Sequence, residues 1–231
     1  KKLYFPLPEY RADYPTDRGF TSYEAIRIAS INGKNVLEMF KKAQWNGGSE
    51  SAMFNKLEEI AESEFPVTPF LHGRLSRALE PQSGIEDRFL PTRINWVVQS
   101  GAVDFLHLML VCMRWLMGEK VKFCLSFHDE VRYIVKEEYA NEAALAMHVT
   151  NLLTRAYCVS RLGVQDLPQS IAFFTSVEID TILRKDAEND CKTPSNPYGF
   201  SGGYGIKPGE SVDIYEAIKR VGNDLTHFVD Q

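Results

Sequence analysis

The sequence lacks the cysteine spacing of a metal finger or a disulfide framework. Its four cysteines, Cys112, Cys124, Cys158 and Cys191, include no C-x-x-C pair. Cys112 and Cys124 lie in apolar runs, so we predict that both are buried thiols. Unpaired cysteines of this kind are typical of a reducing compartment, and they argue against structural zinc and against disulfides.

The sequence also lacks an apolar run of the length that a bilayer requires. The longest run, residues 102–117, is short for a transmembrane helix and contains Asp104, His107 and Arg114, so we predict no membrane span. No signal or transit peptide is recognisable. Because the first residue is not Met, we expect a processed form or a piece of a longer protein.

An excess of basic charge is lacking as well. The chain has 26 Lys and Arg against 31 Asp and Glu, a net charge of -5, whereas nucleic-acid-binding proteins usually show a basic footprint. Total charge can hide local patches, and Arg74, Arg77, Arg88 and Arg93 lie close together with few acids between them. A local basic face therefore stays an open hypothesis.

What is present is an ordinary globular composition, with 231 residues, 44% hydrophobic and 25% charged, enough for a sizeable core. The segments "KVKFCLSF" and "VRYIVK" predict two strands joined by a tight turn. Strands that follow each other directly indicate an α+β fold with an antiparallel sheet. Thr21 and Glu24 fit a capping box, and Gly118 fits a helix end. Periodicity and capping signals predict helices at residues 21–30, 36–44, 49–64, 94–117, 141–163 and 210–222, and residues 190–205 read as loop.

The turn between the two strands carries His128, Asp129 and Glu130. Adjacent carboxylates at the edge of an apolar sheet are costly unless something pairs them, and Mg²⁺ prefers such hard oxygen ligands. From these residues alone a solvated acidic turn is the commoner explanation, since Asp is frequent in turns. Because neighbouring side chains on an extended chain alternate in direction, at most two of the three could bind one ion.

The order of the motifs along the chain favours a metal site at the turn over a solvated acidic turn. "HDEVR" between two strands, after a helix with "INWVVQSGAVDFL", resembles the family A DNA polymerases. Together with "WNGGSESAMFNKLEEIAES", "SRALEP", "DLPQSIAFF" and "DCKTPSNPYG", the series is similar to the mitochondrial replicative members of that family. The resemblance implies an antiparallel palm-type sheet with a catalytic β-hairpin, packed against several α-helices. It places residues 1–70 in a helical fingers subdomain and residues 71–231 in a palm.

The resemblance also implies roles for the hairpin residues. Asp129 aligns with the carboxylate that binds the catalytic Mg²⁺, for which Mn²⁺ could substitute, and Glu130 is its catalytic neighbour. His128 matches the motif His that lies near the primer end. Arg132 could approach a DNA phosphate, or it could pair with Glu130 or Glu137.

Two amides on the preceding helix are further candidates for DNA binding. Asn95 and Gln99 are four residues apart, so they share a helix face and could contact the minor-groove edge of the nascent base pair, where acceptors are nearly independent of sequence. They could equally be capping amides or amides satisfied in the core. The family often has an Arg where this chain has Pro91, so Arg93 is the nearest candidate for that DNA contact.

Part of the family's active site is missing from the sequence. No run such as D-x-S-x-x-E precedes Arg74, and the fingers helix with its Lys and Tyr is absent, so we expect little primer extension from this chain alone. The resemblance implies primer–template DNA, dNTP, the rest of the polymerase chain and an accessory processivity subunit as partners, in the nucleoid of the mitochondrial matrix. A metal-dependent nuclease and a non-catalytic DNA-binding fragment stay open as alternatives.

Overall fold

The computed structural model describes residues 1–80, 89–163 and 175–224, and Phe228. Helices and short antiparallel strand pairs (β1–β2, β3–β4 and β5–β6) make up this part of the chain, which confirms the predicted α+β class. The helices are α1 (Ser22–Ile31), α2 (Val36–Met39), α3 (Gly48–Glu62), α4 (Leu90–Met117), α5 (Ala140–Leu162), α6 (Gly199–Tyr204) and α7 (Ile214–Arg220). The strands are β1 (Lys2–Leu3), β2 (Gln44–Trp45), β3 (Val121–Phe127), β4 (Glu130–Val135), β5 (Val177–Ile179) and β6 (Glu210–Val212).

The contacts divide the chain into two compact units. The first consists of residues 1–104 with 159–168, and the second of residues 105–158 with 169–231. Helix α4 therefore contributes to both units. The predicted assignment of residues 1–70 to fingers and 71–231 to a palm concerns subdomain identity, and it stays a prediction.

In the first unit, α1 begins at the predicted capping box. The Thr21 hydroxyl accepts a hydrogen bond from the Glu24 amide at 3.3 Å, and the Glu24 carboxylate accepts one from the Thr21 amide at 2.8 Å, which satisfies amides that the helix leaves open. The predicted helix over 36–44 was too long. It ends at Met39, because the backbone of Phe40 is extended and pairs with Pro6, and strand pairing there overrides helix propensity.

The second unit packs its core around the base of the β3–β4 hairpin. Residues Met113, Leu116 and Met117 from the end of α4 are buried together with Val121 at the start of β3 and with Ala143 and Ala146 of α5. Gly118, with φ of +54°, ends α4 as predicted. The apolar end of α4 thus fixes where β3 begins.

Strand β3 has one residue that has no pairing partner in β4. Phe123 pairs with Tyr133 and Leu125 pairs with Arg132, so Cys124 is an unpaired β-bulge. The predicted burial of Cys124 was wrong, since this residue is exposed, and Cys112 is only half-buried. A bulged residue leaves the regular alternation of faces, so an apolar neighbourhood in sequence does not guarantee burial at this position.

Two further expectations were wrong in the second unit. The predicted loop at 190–205 contains α6, and the predicted helix at 210–222 is strand β6 followed by α7. Helix α7 begins only after Asp213, whose side chain accepts a hydrogen bond from the Glu216 amide at 2.8 Å. The segment "DLPQSIAFF", the last residue of "SRALEP" and Arg88 lie outside the described residues.

Among the described residues, one helical stretch, Leu90–Lys120, which is α4 together with the 3₁₀ turn that follows it, is long and apolar enough to cross a bilayer. It extends well beyond the apolar run at 102–117, so shortness does not by itself exclude a span. The same test is passed by core helices of soluble proteins, and one such helix is weak evidence for a membrane.

Candidate active site at the hairpin turn

The β3–β4 hairpin closes with a two-residue turn. Phe127 pairs with Glu130, which leaves His128 and Asp129 as the turn residues. His128 has φ of +52°, and the favoured two-residue hairpin turns, types I′ and II′, have a positive φ at this first position. A left-handed backbone at a residue other than glycine is uncommon. The His128 ring contacts the Phe127 ring edge-on, with centroids 4.4 Å apart.

Asp129 is the exposed carboxylate of the turn. Its side chain faces solvent, and no hydrogen bond or ion pair joins it to any of the described residues. Its carboxylate oxygens are therefore available to a ligand, since none of the described residues binds them. Its backbone position is set by the turn, which limits the directions that the carboxylate can take.

Glu130 differs from its neighbour because it is already paired. One of its carboxylate oxygens accepts hydrogen bonds from Arg132 Nη2 at 2.6 Å and from Arg132 Nε at 3.2 Å. Both side chains are partly buried. Of the alternatives that the sequence left open for Arg132, this geometry favours the ion pair with Glu130.

A second arginine lies behind this pair. Arg132 Nη1 donates to the carbonyl oxygen of Arg184 at 2.9 Å. The Arg184 side chain is itself only 1% exposed, and its Nε lies 2.7 Å from Asp180 Oδ2, a close ion pair without the geometry of a hydrogen bond. Sequence reasoning missed Asp180 and Arg184. Their i,i+4 spacing is the only signal, and it is common on solvated surfaces.

The predicted amide pair lies on α4 in the first unit. Asn95 and Gln99 are both exposed, so they are not amides satisfied in the core, and neither caps the helix that begins at Leu90. Arg93, by contrast, is buried with 2% of its surface exposed. A buried guanidinium does not reach a DNA backbone, so Arg93 is the least supported of the predicted DNA contacts.

The described residues do not contain a complete metal site. Residues 1–80, 89–163 and 175–224 contain no group of three or more His, Cys, Asp or Glu side chains that could hold an ion. Asp129 still fits a divalent cation, because Mg²⁺ keeps several waters and takes only one or two protein carboxylates together with substrate phosphates. The Arg132-bound Glu130 is less suited as a ligand.

Comparison with curated proteins identifies the family, although no protein-family model matches the chain. The chain is 62% identical to "DNA polymerase subunit gamma-1, mitochondrial" of Drosophila melanogaster over 230 residues, which is 98% of this chain and 20% of that protein. It is 56% identical to "DNA polymerase subunit gamma-1" of Xenopus laevis, over 83% of this chain and 16% of that protein. It is 40% identical to "DNA polymerase gamma" of Saccharomyces cerevisiae, over 89% of this chain and 16% of that protein.

The chain spans a fifth or less of the length of these three relatives. The Drosophila protein and a further relative from Neurospora crassa carry "mitochondrial" in their names, which confirms the predicted mitochondrial localisation. The similarity covers 83–98% of the chain in relatives from an insect, a vertebrate and a fungus. The family predicted from the motifs is thereby confirmed: the chain is a segment that belongs to the DNA polymerase gamma family.

Proposed function

We propose that the chain is part of a DNA-directed DNA polymerase that replicates mitochondrial DNA by transferring a nucleotide from a dNTP to a primer 3′ end. The observation that carries the proposal is Asp129, an exposed carboxylate with no partner among the described residues, in the two-residue turn of the H-D-E motif. The surrounding sequence is 62% identical to a mitochondrial gamma polymerase. The hairpin and its helices would form the C-terminal part of a palm.

Asp129 would hold a divalent cation, with Mg²⁺ as the natural ion and Mn²⁺ as a substitute. Bound there, the cation would neutralise charge on the phosphates and lower the pKa of the primer 3′ hydroxyl. The role of the hairpin is to position these carboxylates. The turn exposes Asp129 to solvent, and Arg132 binds the carboxylate of Glu130. A further carboxylate would come from the remainder of the polymerase chain, since this segment offers one unpaired acid at the turn.

Among the predicted DNA-binding residues, the exposed side chains are the better candidates for contact with DNA. Asn95 and Gln99 would present their amides to the minor groove of the primer–template, and His128 would lie near the primer end. Arg93 and Arg132 stay weaker candidates, because Arg93 is buried and Arg132 is engaged by Glu130. The accessory processivity subunit and the nucleoid location belong to the proposal through the resemblance alone.

The test uses the full-length polymerase that contains this segment. Asp129→Asn should lower the rate of primer extension on the order of 10³-fold, as loss of a preorganised electrostatic group does. Primer–template affinity should change less than about twofold, since no phosphate contact is removed. Asp17→Asn, at an exposed loop acid, is the matched control and should extend primers normally. Full extension by Asp129→Asn would contradict the proposal.

The same preparation separates the alternative functions. A labelled single strand incubated with Mg²⁺ or Mn²⁺ and without dNTP should stay intact, and cleavage that disappears in Asp129→Asn would instead indicate a nuclease. Binding without extension by the unaltered full-length protein would indicate a non-catalytic module. The isolated 231-residue chain should extend primers little or not at all, because it carries only part of the metal site.

A further inference from the structure

Three residues outside the reacting centre form a continuous chain of contacts that ends at the hairpin turn. Glu130 is the first residue of β4 and directly follows Asp129. Arg132 lies two residues further along the same strand, so the two side chains share one face of the sheet. Arg184 lies 52 residues further on. The contacts join a local element to a distant one.

Arg132 is fully engaged at the centre of this chain. Its Nη2 and Nε donate to one oxygen of Glu130, and its Nη1 donates to the Arg184 carbonyl at 2.9 Å. All three guanidinium nitrogens therefore have an acceptor within the protein. A planar fork can hold a carboxylate and a carbonyl at once, which the ammonium of a lysine does not reproduce.

Arg184 presents its carbonyl from a fixed position. Its buried side chain donates to the carbonyl oxygens of Lys207 at 2.8 Å and Asn189 at 3.2 Å, and its Nη2 lies 3.3 Å from Asp180 Oδ1. The guanidinium also lies 5.1 Å from the centre of the Phe200 ring. The side chain thus ties together four separate positions of residues 180–207, and these contacts restrain the Arg184 backbone.

The Asp180 carboxylate, at the other end of the network, also has hydrogen-bond partners. Asp180 Oδ1 accepts hydrogen bonds from the backbone amides of Thr181 at 2.7 Å and Ile182 at 3.2 Å. A largely buried ion pair of this kind contributes little net stability, but breaking it is strongly destabilising. Such a pair is therefore well suited to define a single geometry for the segment that follows β5.

We propose that Arg132 is a positioning residue, which links Glu130 to the Arg184 carbonyl through its own guanidinium and thereby fixes the orientation of the neighbouring Asp129. The inference rests on the proposed polymerase function and adds a residue that acts through another. Glu130 in this view is a restraint on the turn. The segment from Asp180 to Lys207, far from the turn in sequence, sets the geometry of the metal-binding carboxylate.

The test is a double-mutant cycle in the full-length polymerase with Arg132→Gln, Glu130→Ala and the two combined. Arg132→Gln should lower kcat and raise the Mg²⁺ concentration for half-maximal activity, each by about tenfold, as loss of a group behind a metal ligand does. In the Glu130→Ala background the same substitution should change the Mg²⁺ requirement by less than about twofold, because the shared contact is already gone.

The conservative variant Arg132→Lys distinguishes positioning from a DNA contact. A phosphate contact would be largely restored by Lys, and its removal would weaken primer–template binding and reduce the salt slope by about one. A positioning role predicts that Lys fails to restore the Mg²⁺ requirement, with DNA affinity unchanged. Arg114→Gln, which removes an exposed arginine paired with Glu119, is the matched control and should leave both values unaltered.

Two results would overturn the inference while leaving the proposed function intact. In the first, the Glu130 and Arg132 substitutions change the Mg²⁺ requirement independently, so that the change in the double variant is the product of the two single changes. The other is a lower thermal midpoint for Arg132→Gln with an unaltered Mg²⁺ requirement, which would indicate structural support only. Failure of the proposed function has a separate signature, since Asp129→Asn would then keep full primer extension.

Discussion

The two ends of the β3–β4 hairpin are built in opposite ways. At the base, Val121 is buried against Met117 and the alanines of α5, and Tyr133 and Val135 pack against the same cluster. At the tip, His128 and Asp129 are exposed. Apolar packing is non-directional and holds the base in place, whereas specific hydrogen bonds fix a direction at the tip.

The base of the hairpin therefore contributes to stability, and the tip carries the residue proposed for chemistry. At the turn, the exposed Asp129 leaves its carboxylate oxygens available to a cation, and no hydrogen bond from the described residues holds its side chain. The chain places the restraint one residue away, on Glu130 and Arg132. The base should therefore respond to substitution in stability, and the tip in activity.

The largest expected effect on stability comes from the network behind the tip. Arg184→Ala removes a buried guanidinium with its hydrogen bonds to two carbonyl oxygens and leaves the largely buried Asp180 without its cation, and breaking a buried pair costs about 3–5 kcal/mol. Chemical denaturation of the chain measures this change in the free energy of unfolding. Arg114→Ala, at an exposed ion pair, should cost less than about 1 kcal/mol. Similar losses for the two variants would show that the Arg184 network is not a distinct restraint.

The base of the hairpin should be nearly as sensitive. Met117→Ala removes a side chain that is 2% exposed, and truncation of a buried methionine costs about 2–5 kcal/mol. Val111→Ala on the exposed side of the same helix should change the unfolding free energy by less than about 0.5 kcal/mol. Thermal or denaturant unfolding followed by circular dichroism checks both, and a tolerant Met117 would remove the contrast between base and tip.

Tyr133 makes the base sensitive to alkaline pH. Burial raises the pKa of its phenol from 10.0 to about 12, and its hydroxyl has no hydrogen-bond partner among the described residues. The unfolded chain loses this proton near pH 10 while the folded chain keeps it, so the unfolding free energy should fall between about pH 10 and 12. After allowance for partial exposure, the loss is about 1 kcal/mol.

The check on this prediction is Tyr133→Phe. The variant should lack that part of the alkaline loss, and at neutral pH it should be as stable as the parent or slightly more so, because an unpaired hydroxyl is removed. Tyr215→Phe, at an exposed tyrosine, should keep the parent's pH profile. An identical profile for Tyr133→Phe would mean that the phenol does not titrate differently in the folded chain.

The smallest effect on stability is expected at the tip itself. Asp129→Asn should alter the unfolding free energy by less than about 0.5 kcal/mol, since the carboxylate has no visible partner and Asn suits the same turn. Paired with the large loss of primer extension expected from the same substitution, this result would sharpen the contrast with Met117. A stability loss above about 1 kcal/mol would show instead that Asp129 holds the turn together.

Much of the fold follows from local sequence, and the candidate site follows only in part. The capping box at Thr21, the glycine that ends α4 and the two strands around the turn are local signals, and each is found in the structure. Helix α6 was missed because its segment is rich in Gly and Pro. The missed helix begins at Gly199, where a Cβ would lie 2.2 Å from the Asp190 carboxylate, a close approach that only the fold reveals.

The position of Asp129 was predictable because a motif and a hairpin pattern coincide there. Its support was not predictable, since the contact between Arg132 and the Arg184 carbonyl joins residues 52 apart. The sequence also left three partners open for Arg132, and only the geometry favours one of them. Long-range hydrogen bonds to backbone carbonyls leave no residue pattern, because every residue carries the acceptor.

The bulge at Cys124 makes the two strands of the hairpin unequal, with seven residues in β3 against six in β4. An extra residue on one strand reverses which side of the sheet the following side chains face. The count of residues between the core and the turn therefore matters as much as their identity. Deletion of Cys124 would leave Phe127 opposite Glu130 but would remove the local bend and the extra twist that a bulge introduces, and so it would change the direction of the turn that carries Asp129.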